Sequence, residues 1–301
     1  MTHHLHSNGH HHHHRPDSVN RIFIIGIILN VTFVIIEAVA GLWIGSLSLL
    51  TDAGHNLTDV VSLVLVVIAN QLAQKKATKE FTYGFGKTTV LVALINAITL
   101  LVMVGAIGWE AILRFENPQP IQGQTIAWVA LAGIVVNGIT ALLFFKGSDK
   151  DLNRRGAFLH MAADALVSLG VLVSGVVIFY TSWYWVDATV ALVNGLIITT
   201  GSWRLLKDSW RLSLDGVPNG INMEAIKKYL LSITGVAGLH DLHIWAMSTN
   251  VTALTVHLVV PADMEPLKLS KINAELHTKF NIDHTTIQIE KPSDKECEQR
   301  C

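Results

Sequence analysis

Two short strings in this chain pair an imidazole with a carboxylate at one spacing. His55 and Asp59 are four residues apart in Thr51-Asp52-Ala53-Gly54-His55-Asn56-Leu57-Thr58-Asp59, and His160 and Asp164 are four apart in His160-Met161-Ala162-Ala163-Asp164. On an α-helix, residues at i and i+4 lie on one face, a turn apart. Each string, if helical, therefore presents one nitrogen and one oxygen side by side. Two such helices facing each other supply two of each. That set suits a tetrahedral Zn²⁺, at about 2.0–2.2 Å per ligand. Mg²⁺ and Ca²⁺ favour all-oxygen cages, and a trap for Cu⁺ would use sulfur. Four tight ligands leave no open position for a catalytic water, and no general base stands beside them, which argues against a metalloenzyme.

The elements that must carry these residues are membrane helices. The chain has 301 residues, 50% of them hydrophobic and only 15% charged. The mean hydropathy is +0.43, and the apolar excess lies between residues 22 and 206. A spanning helix needs about 20 mostly apolar residues. Six stretches qualify: residues 22–44, 49–72, 89–113, 126–145, 157–180 and 185–205. Lipid offers no hydrogen bonds to the backbone, so each run is read as a helix. The second contains His55 and Asp59, and the fifth His160 and Asp164. One such string in a soluble helix is ordinary packing; two copies at membrane depth, where charge is expensive, mark a metal or proton site. Asp52, near the outer end of the second span, reads either as a group supporting the ligands from behind or as a helix-start residue. Glu37 in the first span and Glu110 in the third either hydrogen-bond within the bundle or line a proton path.

Charge asymmetry sets the orientation. Arg15 and Arg21 precede the first span. Lys75, Lys76, Lys79 and Lys87 follow the second, Lys146, Lys150, Arg154 and Arg155 the fourth, and Arg204, Lys207 and Arg211 the sixth. The alternate loops carry almost nothing basic, apart from Arg114. By the positive-inside rule both termini are cytoplasmic. Trp183 and Trp185 fall where an outer aromatic belt would lie. The net charge of −1 excludes the basic surface of a nucleic-acid binder. Both cysteines, Cys297 and Cys301, are at the extreme C-terminus, which fits a reducing compartment rather than a disulfide framework. The start lacks the order of a cleaved signal, so the first apolar stretch is read as a retained helix. Its His-rich prelude, His3, His4, His6 and then His10 to His14, is broken by Asn8 and Gly9. That irregularity reads as a native, metal-gathering tail rather than a tag.

From Val217 the pattern changes to that of a soluble domain. Residues 223–232 form an amphipathic helix with Asn222 as its cap, and residues 266–280 a second. Residues 239–247, 252–260 and 285–290 alternate as strands. The order α-β-β-α-β indicates a compact two-layer domain. By the period of two, His240 and His243 fall on opposite faces of their strand, and His257 points away from the face shared by Leu254, Val256, Leu258 and Val260. His277, His284, Glu290, Cys297 and Cys301 are further potential ligands. The expected divisions are a tail over 1–20, a membrane domain over 21–206 and a soluble domain over 207–301.

With these residues in place, the chain resembles the cation diffusion facilitator family, in its zinc-transporting group. The resemblance runs along nearly the whole chain. It rests on Gly41-Leu42-Trp43-Ile44-Gly45-Ser46-Leu47-Ser48-Leu49-Leu50, the Asp52–Asp59 string, Phe81-Thr82-Tyr83-Gly84-Phe85-Gly86-Lys87, and His160 to Asp164. It implies a homodimer in the lipid bilayer that exports Zn²⁺ in exchange for protons, with some relatives also carrying Cd²⁺ or Co²⁺. It implies a transport site at His55, Asp59, His160 and Asp164, and a gating ion pair at Lys87 and Asp215. The soluble domain resembles the family's ferredoxin-like, metallochaperone-type domain, in which His240, His257 and Glu290 match positions for regulatory zinc. Cys297 and Cys301 resemble tail cysteines that complete a cytoplasmic site in some zinc transporters. The loop over 73–81 has no His, Cys or Asp, so the further metal that some relatives hold there is not expected. The compact loops suggest a bacterial inner membrane. Two other readings keep these residues: the same fold carrying Co²⁺, Ni²⁺, Fe²⁺ or Mn²⁺, and a metal sensor that signals without transporting.

Overall fold

The computed structural model of the protein describes residues 17–145, 152–261 and 268–291. Six long helices come first among these residues: α1 (Asp17–Ile44), α2 (Leu47–Ala73), α3 (Thr88–Glu116), α4 (Gly123–Phe145), α5 (Leu152–Thr181) and α6 (Trp185–Ser213). They match the six expected stretches to within a few residues at most ends. Five are long and apolar enough to cross a membrane, and α1 adds the apolar run Ile28–Ile44. Their large apolar side chains point outward, as with Leu42, Trp43, Val102, Leu142, Leu166 and Leu196. That inversion suits lipid, in which apolar surface needs no burial. The N-terminal His tract and the two cysteines lie outside the described residues.

The chain divides into two compact units, Met1–Leu57 with Ile107–Asn194, and Thr58–Ala106 with Gly195–Cys301. In the first, α4 and α5 pack backbone against backbone. A Cβ on Gly123 would fall 2.6 Å from the Gly175 carbonyl oxygen, and one on Gly175 would fall 2.6 Å from the Ala127 nitrogen. Only glycine permits that approach. Leu49, Ile126, Ala130, Val171 and Ile178 fill the adjoining core.

Asp187, near the start of α6, fixes the start of α2. Its buried carboxylate accepts from Ser46 Oγ at 2.7 Å, from the Leu47 N–H at 2.6 Å and from the Ser48 N–H at 3.2 Å. The Ser48 hydroxyl donates to it as well. The first N–H groups of a helix lack intrahelical partners, and the helix dipole favours an anion there. The Gly-Ser-Leu-Ser-Leu string thus serves as the seat of a buried anion.

The second unit contains the C-terminal domain: α7 (Met223–Leu231), β1 (Gly238–Ala246), β2 (Thr252–Val259), α8 (Leu269–Phe280) and β3 (His284–Glu290). Asn222 caps α7, its side-chain oxygen accepting from the Ala225 N–H at 3.0 Å. The sheet order is β1-β2-β3, with β1 antiparallel and β3 parallel to β2. Ile244, Leu254, Val256 and Leu258 face Ile226 and Leu230 of α7 and Ile272 and Leu276 of α8. This is the expected α+β domain. One expectation fails. His240 pairs with His257 and His243 with Thr255, so a bulge lies between them. Directly paired residues share a face, and residues 255 and 257 share one by the period of two. His240 and His243 therefore lie on the same face, not on opposite faces.

The Asp187 seat predicts a stability effect. Asp187→Asn keeps the shape but turns an amide donor toward donors. It should destabilise the detergent-solubilised protein by about 1–3 kcal/mol, read as a lowered unfolding temperature. An unchanged transition would show that the seat is not what anchors α2.

Candidate metal centres

In the first unit, α2 and α5 bring three of the four expected ligands together. His55 Nε2 lies 3.9 Å from Asp164 Oδ1, and His160 Nε2 lies 3.7 Å from Asp164 Oδ2. The two imidazoles stand edge to face with centroids 6.3 Å apart. The Asp164 carboxylate is buried and reaches toward both rings, at distances longer than a hydrogen bond. Such spacing leaves room for a cation among nitrogen and oxygen donors, and the donor set fits Zn²⁺. Asp59 belongs to the second unit, one turn further along α2 on the face that carries His55.

Asp52 occupies a different position from these. It is buried, and it accepts from Asn56 Nδ2 at 3.3 Å and from Ser168 Oγ at 2.9 Å. Asn56 is one turn along α2 and Ser168 is on α5, one turn beyond Asp164. Asp52 is therefore a clamp between α2 and α5 beside the candidate ligands. Glu37 of α1 is fully buried and its carboxyl faces Asp52 and Asn56. Glu110 pairs instead with Arg114 at 3.1 Å on the exposed side of α3.

The C-terminal domain holds a second cluster. His240 and His257, paired across β1 and β2, have ring centroids 5.0 Å apart. Glu290, at the end of β3, places Oε2 2.8 Å from His240 Nε2 and Oε1 2.8 Å from His257 Nδ1. Desolvation alone would raise the Glu290 carboxyl, but hydrogen bonds from His240 and Gln288 and the two nearby imidazoles leave it below the ordinary value. The donor set fits a borderline cation such as Zn²⁺. The sequence reading missed Asp241, one of whose oxygens lies within 4.8 Å of ligand nitrogens of both His240 and His257. A bulge has no signature in the alternation of side chains, so no sequence pattern would have found it. His277 pairs with Asp283 at 3.6 Å and His284 stacks edge-on against Tyr83, both away from this cluster.

Lys87 joins this domain to the ends of two membrane helices. Its Nζ donates to Asp215 Oδ1 at 2.6 Å, to the Leu212 carbonyl at 2.7 Å and to the Ala246 carbonyl at 2.9 Å. All three ammonium donors are used. Beside it, the Thr249 N–H donates to Thr89 Oγ1 at 3.0 Å. A Cβ on Gly86 would fall 2.7 Å from the Met247 carbonyl oxygen, so only glycine lets this loop close on the β1–β2 turn.

Comparison with known proteins places this architecture. The family profile described as the cation efflux transmembrane domain matches residues 23–212, and that of the cation efflux protein cytoplasmic domain matches residues 218–292. The chain is 36% identical over 287 residues to the metal cation efflux system protein CzcD of Cupriavidus metallidurans, covering 95% of this chain and 89% of that one. It is 36% identical to the zinc transporter ZitB of Pectobacterium atrosepticum, over 87% of this chain and 83% of that one. It is 34% identical to the cadmium, cobalt and zinc/H⁺-K⁺ antiporter of Bacillus subtilis, over 90% and 88% respectively. A solved structure, the metal-bound C-terminal domain of the Cupriavidus CzcD transporter, is 38% identical over 23% of this chain and 99% of its own, with a TM-score of 0.22. The chain is a multi-pass membrane protein of the cation efflux family, whose members are transporters and not enzymes.

Proposed function

We propose that the protein exports Zn²⁺ from the cytosol in exchange for protons, with His55, Asp59, His160 and Asp164 holding the transported ion. One observation carries this reading: a buried carboxylate, Asp164, reaches toward imidazoles from two different membrane helices at 3.7 and 3.9 Å. The names of the relatives support zinc, with cadmium and cobalt as further cargo, and one of those names includes proton antiport. Exchange follows from the donors. Imidazole and carboxylate bind metal only when unprotonated, so proton uptake expels the ion and metal binding releases protons. Alternating exposure of the site to the two sides then couples the two fluxes. A fixed-open pore would be poorly served by four tight ligands.

The remaining groups have roles consistent with their positions. Asp52, with Glu37 behind it, positions the ligand faces of α2 and α5. Lys87 and Asp215 are the gating ion pair, the Lys87 ammonium also gripping the ends of α6 and β1. His240, His257 and Glu290 hold a regulatory zinc, to which Cys297 and Cys301 add thiolates. The protein works as a homodimer, through the cytoplasmic domain, with both termini cytoplasmic in a bacterial inner membrane.

Purified protein in inside-out proteoliposomes should take up radioactive zinc when an outward-directed proton gradient is imposed. Asp164→Ala should reduce uptake to that of empty vesicles while still eluting as a folded dimer. Equal uptake by the variant would place the ion path elsewhere. Lys87→Ala has a separate signature. It should slow uptake while leaving the number of zinc ions bound at equilibrium unchanged. The exposed pair with Asp215 contributes only about 0.2–1 kcal/mol of stability, and the two carbonyl hydrogen bonds lost with it make the unfolding temperature of the variant the control for folding; unchanged uptake would remove Lys87 from the gating assignment.

A further inference from the structure

β1 carries one residue more than its pairing with β2 requires. Three steps along β1, from His240 to His243, run against two along β2, from His257 to Thr255. The extra residue is absorbed as a bulge, a device that re-aims side chains. Asp241 sits in it with φ +50°, in the left-handed region that side-chain-bearing residues seldom enter and that Asn and Asp tolerate best. In a regular strand Asp241 would point away from His240. Here one of its oxygens lies within 4.8 Å of ligand nitrogens of both His240 and His257. Among the described residues the Asp241 side chain makes no hydrogen bond or ion pair that would offset the backbone conformation. Glu290 approaches the same two rings from β3, and the 2.8 Å contact of its Oε1 with His257 Nδ1 is not aligned as a hydrogen bond. Two imidazoles thus lie within reach of two carboxylates, one from the bulge and one from the far strand.

We propose that Asp241 is a metal ligand, completing with His240, His257 and Glu290 a site of two nitrogens and two carboxylates for a divalent cation of the Zn²⁺ class. The proposal rests on the reading that this domain binds metal, and it sharpens that reading. Four ligands from one chain make the site complete without thiolate. Two carboxylates also make it harder than a thiolate-containing site, so it accepts Co²⁺ as well as Zn²⁺. The bulge is then the structural device that supplies the fourth ligand. Its backbone conformation is held for the sake of the metal rather than the fold.

The test uses the full-length protein in detergent, titrated with Co²⁺. The background carries His160→Ala and Asp164→Asn to silence the membrane site, and Cys297→Ser and Cys301→Ser to remove thiolates. In this background the d–d bands of a low-symmetry Co²⁺ site should appear. Asp241→Asn, which suits the same backbone conformation, should weaken Co²⁺ at least about tenfold, the lower end of what even an indirect partner of a metal contributes. Asp241→Cys should add a near-ultraviolet thiolate-to-Co²⁺ charge-transfer band, which a merely supporting residue would not produce. Unchanged affinity in the Asn variant, or no such band in the Cys variant, would overturn the assignment. His257→Ala separates the two claims. If it abolishes binding while Asp241→Asn leaves it intact, only the Asp241 ligand falls. If it too leaves binding intact, the metal-binding reading of the domain falls with it.

Discussion

A carboxylate held among apolar helices must be met by donors or a cation, because the bilayer core supplies neither. Among the described residues of the membrane helices, Asp187, Asp52 and Asp164 show this constraint at work. Asp187 is met by two backbone N–H groups and two serine hydroxyls at the start of α2. Asp52 is met by Asn56 and Ser168. Both are satisfied by groups that only donate hydrogen bonds to them, and both hold helices in place. Asp164 is different in kind. The groups it reaches toward are two imidazoles, and they stand off at 3.7 and 3.9 Å. The same constraint thus accounts for two braces and one candidate binding group. The braces lie one turn and two turns from the ligands they support: Ser168 follows Asp164 by a turn, and the Asp187 seat lies two turns before His55.

The C-terminal domain meets the membrane helices through a cation rather than an anion. Lys87 spends all three donors on Asp215, the end of α6 and the end of β1. Its acceptor on β1, Ala246, is the last residue of the strand whose other end carries His240 and Asp241. A strand rises about 3.3 Å per residue, so one rigid element about 20 Å long has ligand groups near one end and the Lys87 contact at the other. The ladder to β2 and β3 keeps that element straight except at the bulge. Whatever orders the ligand end is therefore borne by the same hydrogen-bonded element that touches the ends of α3 and α6.

Much of this was legible in the sequence, and the parts that were not have a common cause. The helices follow from apolar length, and the pairing of His with Asp on one face follows from the helical period, because both are local rules. Lys87 and Asp215 were legible only by resemblance. Their distance of 128 residues leaves no local trace, and the two carbonyls that complete the Lys87 shell have no side chain to read. Asp187 beside Trp185 looks like an ordinary residue at a helix start; its role appears only when α6 meets α2. The clearest failure is on β1. The period of two put His240 and His243 on opposite faces. A bulge resets that period, and it is set by pairing with β2 rather than by the residues of β1 alone. Strand rules read one chain segment, whereas strand register is a property of two.

The two candidate metal centres offer nearly the same donors, so any difference in role must come from what holds the donors. At the candidate membrane site the proposed ligands are carried on α2 and α5. Packed helices shift past one another by about 1–2 Å in conformational transitions, while a metal site tolerates only about 0.2 Å at each ligand. A modest slide of one helix would therefore be enough to dismantle such a site. At the candidate site of the C-terminal domain His240, His257 and Glu290 sit on three neighbouring strands of one sheet. Separating them would break the hydrogen-bond ladder between β1 and β2 or between β2 and β3, which a slide of packed helices does not do. The first arrangement suits an ion that must be let go in every cycle, and the second an ion that stays.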